Sequence, residues 1–209
     1  MIHHYDRPSV LVVITDQQRA DAVGYETPWV ITPNLNRLAA ESVRFPLCFV
    51  QSPQCQPSRA SIFTGRYPTA HRVWWNETAL PKTEKTLGNY LRDAGYRTGY
   101  FGKLHFDGGP HTQVASHFGF DQSYLFEDWA VSFGGKSQKT LVEREFYAPM
   151  STKTWTGVLS SREFHHEEVV TDRAATFMRQ AAAPFLCVVG YHGPHPPYAA
   201  PAEFSALYD

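Results

Sequence analysis

The sequence predicts an α/β protein with a largely parallel central sheet and helices on both faces. Residues 9–15 (SVLVVIT) and 185–190 (FLCVVG) are continuous apolar runs, the pattern of strands buried on both faces. Residues 96–101 supply a shorter run, and helical periods lie between the three. Strands that alternate with helices imply crossover connections, and crossovers imply parallel pairing.

The elements follow in chain order. The first strand ends abruptly at Asp16-Gln17-Gln18-Arg19. Thr32-Pro33-Asn34 then opens a helix, because Thr is a good N-cap and Pro suits the first turn. Leu35, Leu38 and Ala39 form its apolar stripe. Residues 43–50 read as a second, less regular strand. Pro57 marks another helix start in segment 55–63, closed by Gly65. A third helix is predicted over 83–94, with Leu87, Tyr90, Leu91 and Ala94 on one face and Gly95 as its stop. The longest runs from about 167 to 182, where Val170, Ala174, Phe177 and Met178 are spaced to pack. Between 106 and 162 the period fades and Gly and aromatic residues dominate, as in a lid or inserted subdomain. Residues 202–209 look like the start of a helix, not the end of a domain.

Composition narrows the function classes. The chain has 209 residues, 43% of them hydrophobic, and 19 Lys+Arg against 20 Asp+Glu give a net charge of −1. That apolar share supports a core and excludes disorder as the default. A near-neutral balance argues against a general nucleic-acid binder or a polybasic membrane-surface protein. No run approaches the roughly 18 apolar residues of a membrane-spanning helix. Residues 1–8 lack the pattern of a signal peptide. The 3 cysteines, Cys48, Cys55 and Cys187, therefore read as reduced thiols of a cytoplasmic protein, one of them chemical rather than structural.

In open α/β sheets, ligands bind beyond the carboxyl ends of the strands. Here those ends carry Asp16-Gln17, then Gly102-Lys103-Leu104-His105, then Tyr191-His192-Gly193-Pro194-His195. An acid, a Lys–His pair and a His thus converge on one edge of the sheet. The helix near Pro57 adds Cys55 and Arg59 at an N-terminus, which favours an anion. Residue types and positions describe an oxyanion pocket with a hard metal ligand.

Cys55-Gln56-Pro57-Ser58-Arg59-Ala60-Ser61-Ile62-Phe63-Thr64-Gly65-Arg66 resembles the Cys-x-Pro-Ser-Arg…Thr-Gly-Arg motif of the sulfatase family. That family belongs to the alkaline-phosphatase-like superfamily of metal-dependent hydrolases. Residues 10–16, 32–35, 102–105 and 194–197 resemble the family's other blocks in the family's order. The resemblance implies an alkaline-phosphatase-like sandwich, truncated at the C-terminus. Residues 1–209 would be the N-terminal part of a single catalytic domain, with a lid-like insert at about 106–162. It also implies a sulfuric ester hydrolase in which a formylglycine-generating enzyme oxidises Cys55 to formylglycine. One hydroxyl of the hydrated aldehyde attacks sulfur, and the other then loses its proton and expels sulfate. Asp16, Gln17 and residue 55 would hold one divalent metal, Ca2+ favoured over Mn2+ or Mg2+. By the same resemblance Arg59 holds the nucleophile, Lys103 and His105 stabilise sulfate oxygens, His105 helps remove the proton, and His195 meets the sulfate or the leaving group. The expected partner is a small-molecule sulfate ester, with a phosphonate or phosphate ester as the alternative; neither nucleic acid nor membrane is expected.

Two departures qualify this. Many sulfatases carry Asp-Asp after the first strand, whereas this chain has Asp16-Gln17, similar to the choline-sulfatase-like and phosphonate-monoester-hydrolase-like branches. Within those branches Val73-Trp74-Trp75-Asn76 looks like a block whose Asn touches substrate. The family's second metal-ligand pair and a further Lys do not appear before Asp209, so this chain alone is not expected to turn over substrate. A truncated, non-catalytic pseudoenzyme is the rival reading.

Bland alternatives stand beside each residue: a plain thiol for Cys55, a turn cap for Asp16, a surface lysine for Lys103, structural histidines for His105 and His195. Gln17 and Asn76 divide between a role and none. Cys48 and Cys187 read as core, and His3-His4 and His165-His166 as surface. Trp74, Trp75, Tyr124, Phe126 and Trp129 read as lid core in preference to a quaternary-ammonium site. Gly135-Lys136-Ser137 fails as a phosphate loop because Ala130 stands where Gly is needed.

Overall fold

A computed structural model describes residues 7–106, 114–126, 141–147, 153–159, 165–196 and 198–208, with backbone alone for 141–147, 153–159 and 199. Strand β1 (Val10–Ile14) leads to helix α1 (Pro33–Ala40), helix α2 (Cys55–Thr64), a single turn α3 (Pro68–His71), helix α4 (Leu87–Asp93) and strand β2 (Arg97–Gly102). After a 3-10 turn (Ala115–Phe118) come β3 (Gln122–Leu125), β4 (Leu141–Tyr147), β5 (Lys153–Leu159) and the long α5 (His166–Gln180). Strand β6 (Phe185–Gly190), β7 (Tyr198–Pro201), the short α6 (Ala202–Ser205) and a final 3-10 turn (Ala206–Tyr208) complete the described chain.

Strands β1, β6, β2 and β3 pair in that order, every pair parallel. Side chains alternate across the sheet, so successive residues of β2 and β6 serve opposite layers. Tyr100, Leu186 and Val188 point to a cluster with Ala60 and Phe63 of α2, against which Leu87 and Leu91 of α4 also pack. Phe101, Cys187 and Val189 point the other way, to Val170, Ala174 and Phe177 of α5. Helices therefore cover both faces of the middle of the sheet, as predicted. A second sheet, order β4-β5-β7, joins an antiparallel hairpin to a parallel neighbour.

Several expectations are corrected. β1 is not buried on both faces: Val10, Val12 and Ile14 pack inward, but Leu11 is 51% and Val13 54% exposed. Residues 43–50 form no strand, and Leu35 and Leu38 on α1 are exposed, because no other described element covers them. Cys48 is exposed rather than core, whereas Cys187 is buried, its thiol pushed up to about 12 by burial. The third helix starts at Leu87, not at 83, because Thr86 caps it: its hydroxyl accepts from Gly88 N–H at 3.1 Å, and Asn89 returns a bond to the Thr86 amide. Residues 115–125 fall within the span read as insert, yet they belong to the body. Phe118 and Phe120 lie in the core beside Tyr100 and Phe106, and β3 pairs with β2. His166 is buried, not a surface residue. His3, His4, Trp129, the Gly135-Lys136-Ser137 segment and Asp209 lie outside the described residues.

Candidate active site

Parallel pairing with β6 in the middle brings the carboxyl ends of β1, β6 and β2 together, and the predicted convergence is realised there. Asp16 follows β1 and is buried at 7% exposure. Its Oδ2 lies 2.5 Å from Lys103 Nζ and 3.6 Å from Arg59 Nη2. Burial alone would push the Asp16 carboxyl up. The bonded Lys103 ammonium, then the charges of Arg59 and His195, outweigh it and hold the carboxyl below its ordinary value.

Arg59 is 3% exposed and does more than pair with Asp16. Its Nη1 donates to the Lys103 carbonyl at 2.6 Å and to Tyr100 Oη at 3.2 Å, and the Tyr100 hydroxyl donates to that same carbonyl at 2.7 Å. Lys103 is thereby held at both ends, its carbonyl by Arg59 and Tyr100 and its ammonium by Asp16. Gly102 makes the turn into Lys103 at φ +102, and a Cβ there would stand 2.1 Å from the Gly190 carbonyl oxygen.

Cys55 opens α2, four residues before Arg59, so both lie on one helix face. Gln54 at the N-cap makes no side-chain cap bond. Asn76, from a distant loop, does so instead: its Oδ1 accepts from Gln56 N–H at 3.1 Å and lies 3.4 Å from Cys55 Sγ. Gln54 Oε1 reciprocates by accepting from Asn76 N–H at 3.3 Å. The side chain of Gln56, fully buried, accepts from Glu77 N–H at 2.6 Å and donates to the Thr78 carbonyl at 2.7 Å. Residue 55 thus sits on a helix start fixed by bonds from outside the helix.

The remaining predicted residues surround this cluster. His105, at φ +59, has its imidazole pushed down to about 4, first by burial and then by the Lys103 and Arg59 charges. His195 Nδ1 donates to the Pro196 carbonyl at 2.7 Å, which leaves Nε2 as the ring's other polar atom. Its ring lies 4.7 Å from that of His192, which stacks on Phe126 at the same distance. Tyr124 packs against the core beneath Arg173, whereas Phe126 lies against His166 and His192. Trp74 and Trp75 are not core: they are 49% and 68% exposed. Gln17 is exposed, in the left-handed region at φ +62. Sequence reasoning missed Gln56, Tyr100, His192 and Glu167. Only His192 carried a visible signal, in the block that also holds His195.

Among the described residues no group of three or more His, Cys, Asp or Glu is arranged to hold a metal ion. Asp16 is one carboxylate, and Lys103 and Arg59 already neutralise it. The donors present do not amount to a divalent-cation site by themselves. What they make is a buried, cation-rich cradle at the foot of a helix N-terminus, suited to a tetrahedral anion.

Fold and site together define the alkaline-phosphatase-like class of hydrolase folds. The chain belongs to the sulfatase family, whose model matches residues 8–209. It is 35% identical over 219 residues to the uncharacterized sulfatase YidJ of Escherichia coli K12, covering 97% of this chain and 41% of that protein. It is 31% identical over 209 residues to an ulvan-active sulfatase of Formosa agariphila, covering 97% and 38%. Among solved structures, the phosphonate monoester hydrolase SpPMH of Silicibacter pomeroyi matches with a TM-score of 0.76 at 28% identity, over 97% of this chain and 44% of that one. The chain spans less than half the length of these relatives.

Proposed function

We propose that the whole protein is a sulfuric ester hydrolase whose nucleophile is formylglycine derived from Cys55. The observation that carries this is the cradle around Asp16, with Lys103 Nζ at 2.5 Å and Arg59 Nη2 at 3.6 Å, on the helix face that presents residue 55. In this reading Cys55 Sγ stands where the oxygens of the hydrated aldehyde would be. One of those oxygens bonds to sulfur as the ester oxygen departs with its electron pair. The second hydroxyl then gives up its proton and reforms the carbonyl while the carbon–oxygen bond to sulfate breaks. Lys103 and Arg59 offset charge that develops on the sulfate oxygens. His105, held neutral by burial, accepts the proton of the second step, and His195 meets the leaving group through Nε2.

Asn76 enters the proposal both as the cap of α2 and as a group at the substrate's edge. Asp16, Gln17 and residue 55 are offered to a divalent ion, Ca2+ ahead of Mn2+ or Mg2+, as a property of the whole protein, since these donors do not complete a shell. A formylglycine-generating enzyme is the implied partner. A cytoplasmic location belongs to this reading, with Cys48 and Cys187 as reduced thiols.

A second reading, hydrolysis of a phosphonate or phosphate ester by the same nucleophile, is favoured by the likeness to SpPMH. Two measurements test these readings. Fragmentation mass spectrometry of the peptide containing residue 55, from the native source, is expected to show an aldehyde in place of the thiol. Turnover of an aryl sulfate by the full-length protein is expected to exceed that of an aryl phosphonate. A free thiol at residue 55 overturns the nucleophile, and dominant phosphonate turnover selects the second reading.

A further inference from the structure

Glu167 lies in the first turn of α5, where an acid suits the helix dipole, and no motif singles it out. Its side chain is only 27% exposed because it turns toward the loop after β6. Oε1 accepts from Gly193 N–H at 2.7 Å, and Oε2 lies 3.0 Å from His165 Nδ1. Burial works against the charged form, but His165 and His166 bound to it hold the carboxyl well below its ordinary range.

Gly193 is held at its next peptide group as well, since its carbonyl accepts from Asp16 N–H at 3.2 Å. A side chain at 193 would crowd this contact, because a Cβ there would stand 3.0 Å from Glu167 Oε1, which would have to give by a few tenths of an ångström. Gly193 thus links Glu167 to the backbone of Asp16 through the two peptide groups that flank its Cα. The same short loop carries His195, whose amide donates to the His192 carbonyl at 3.1 Å.

We propose that Glu167 is a positioning residue of this site: its carboxylate anchors the Gly193 peptide and so fixes where the His192–His195 loop stands relative to Asp16. The role rests on the functional reading above. A carboxylate suits it because it can accept from the Gly193 amide and from the flanking imidazoles at once.

The test uses the full-length protein. Glu167→Ala removes the acceptor, and Glu167→Asp withdraws it by about 1.5 Å, one bond length. Both variants are expected to lose kcat roughly tenfold or more with KM within about twofold, since the loop shifts relative to the reacting atoms. Glu167→Gln keeps an oxygen acceptor and is expected to restore kcat to within about threefold of the parent. A purely structural role predicts lower melting temperatures, unchanged kcat well below them, and no rescue by Gln; that pattern overturns the proposal. Should Ala fail to fold, Asp against Gln carries the comparison. Crystal structures of the Asp and Gln variants give a readout independent of turnover. Residues 193–195 displaced by about 1 Å in Asp but not in Gln support the anchor, and an unmoved loop in both refutes it. A parent protein inactive on sulfate and phosphonate esters sinks the functional reading, while the crystallographic comparison still decides the anchor.

Discussion

Asn76→Ala separates two roles for one side chain, a substrate contact and a cap on the helix that bears residue 55. Asn76 Oδ1 accepts from the second amide of α2 at 3.1 Å and touches Cys55 Sγ at 3.4 Å, while Gln54 offers no side-chain cap. Loss of a side-chain cap costs about 1 kcal/mol, within a range of roughly 0.5–2. Asn76 is exposed, so water replaces part of the lost bond and the lower half of that range applies. For a domain of roughly 150–250 residues that corresponds to a melting temperature lowered by about 2–3 °C, and the shift is smaller in a longer full-length protein. Asn76→Asp keeps the acceptor and adds a negative charge at the positive end of the helix, so its stability is expected to match or exceed the parent's. The same charge repels an anionic ester and is expected to raise KM. Calorimetric melts and steady-state kinetics on the full-length protein read both effects. An Ala variant that melts with the parent but has a raised KM would refute the capping argument and leave a plain substrate contact.

Further predictions concern acid sensitivity and backbone fit. His71 is buried and neutral, with Nδ1 accepting from Val73 N–H at 3.1 Å and Nε2 donating to Ser61 Oγ at 2.9 Å, and burial lowers its pKa. Burial, aided by the nearby charges of Lys103, His195 and His166, pushes His192 to about 4 from an ordinary 6.5. Below pH 6.5 the unfolded chain takes up protons that the folded one refuses, so stability falls as pH drops from about 6.5 toward 4. Melting temperatures that stay level across that interval would contradict the assignment, and His71→Gln is expected to flatten the slope. Gly102→Ala sets a Cβ against the Gly190 carbonyl at an unfavourable φ and is expected to cost about 2 kcal/mol or more, read as a lowered urea midpoint. A midpoint equal to the parent's would show that β2 and β6 part easily at this end.

Much of this was legible in the sequence. The strands at 10–14, 97–102 and 185–190 and the helices at 55–64 and 166–180 lie close to where period and caps put them. Asp16, Arg59 and Lys103 meet as the strand-end rule and the sulfatase motif predicted. These features follow from local physics: a helix period repeats within a turn, a cap acts over a few residues, and a strand run needs only its own side chains. Other features were invisible for the converse reason. Burial of one face of β1 but not the other, the failure of 43–50 to become a strand, and the packing of Phe118 and Phe120 all depend on which elements arrive alongside. So does the strand order, in which β6 slips between β1 and β2. The bonds from Glu167 to Gly193 and from Gln56 to Thr78 join residues 26 and 22 apart in sequence. Such contacts exist only after loop closure has placed both partners, and no pattern within one segment encodes them. The sequence by itself determined the parts of the site and their chemistry, while tertiary packing decided which side chains hold those parts in place.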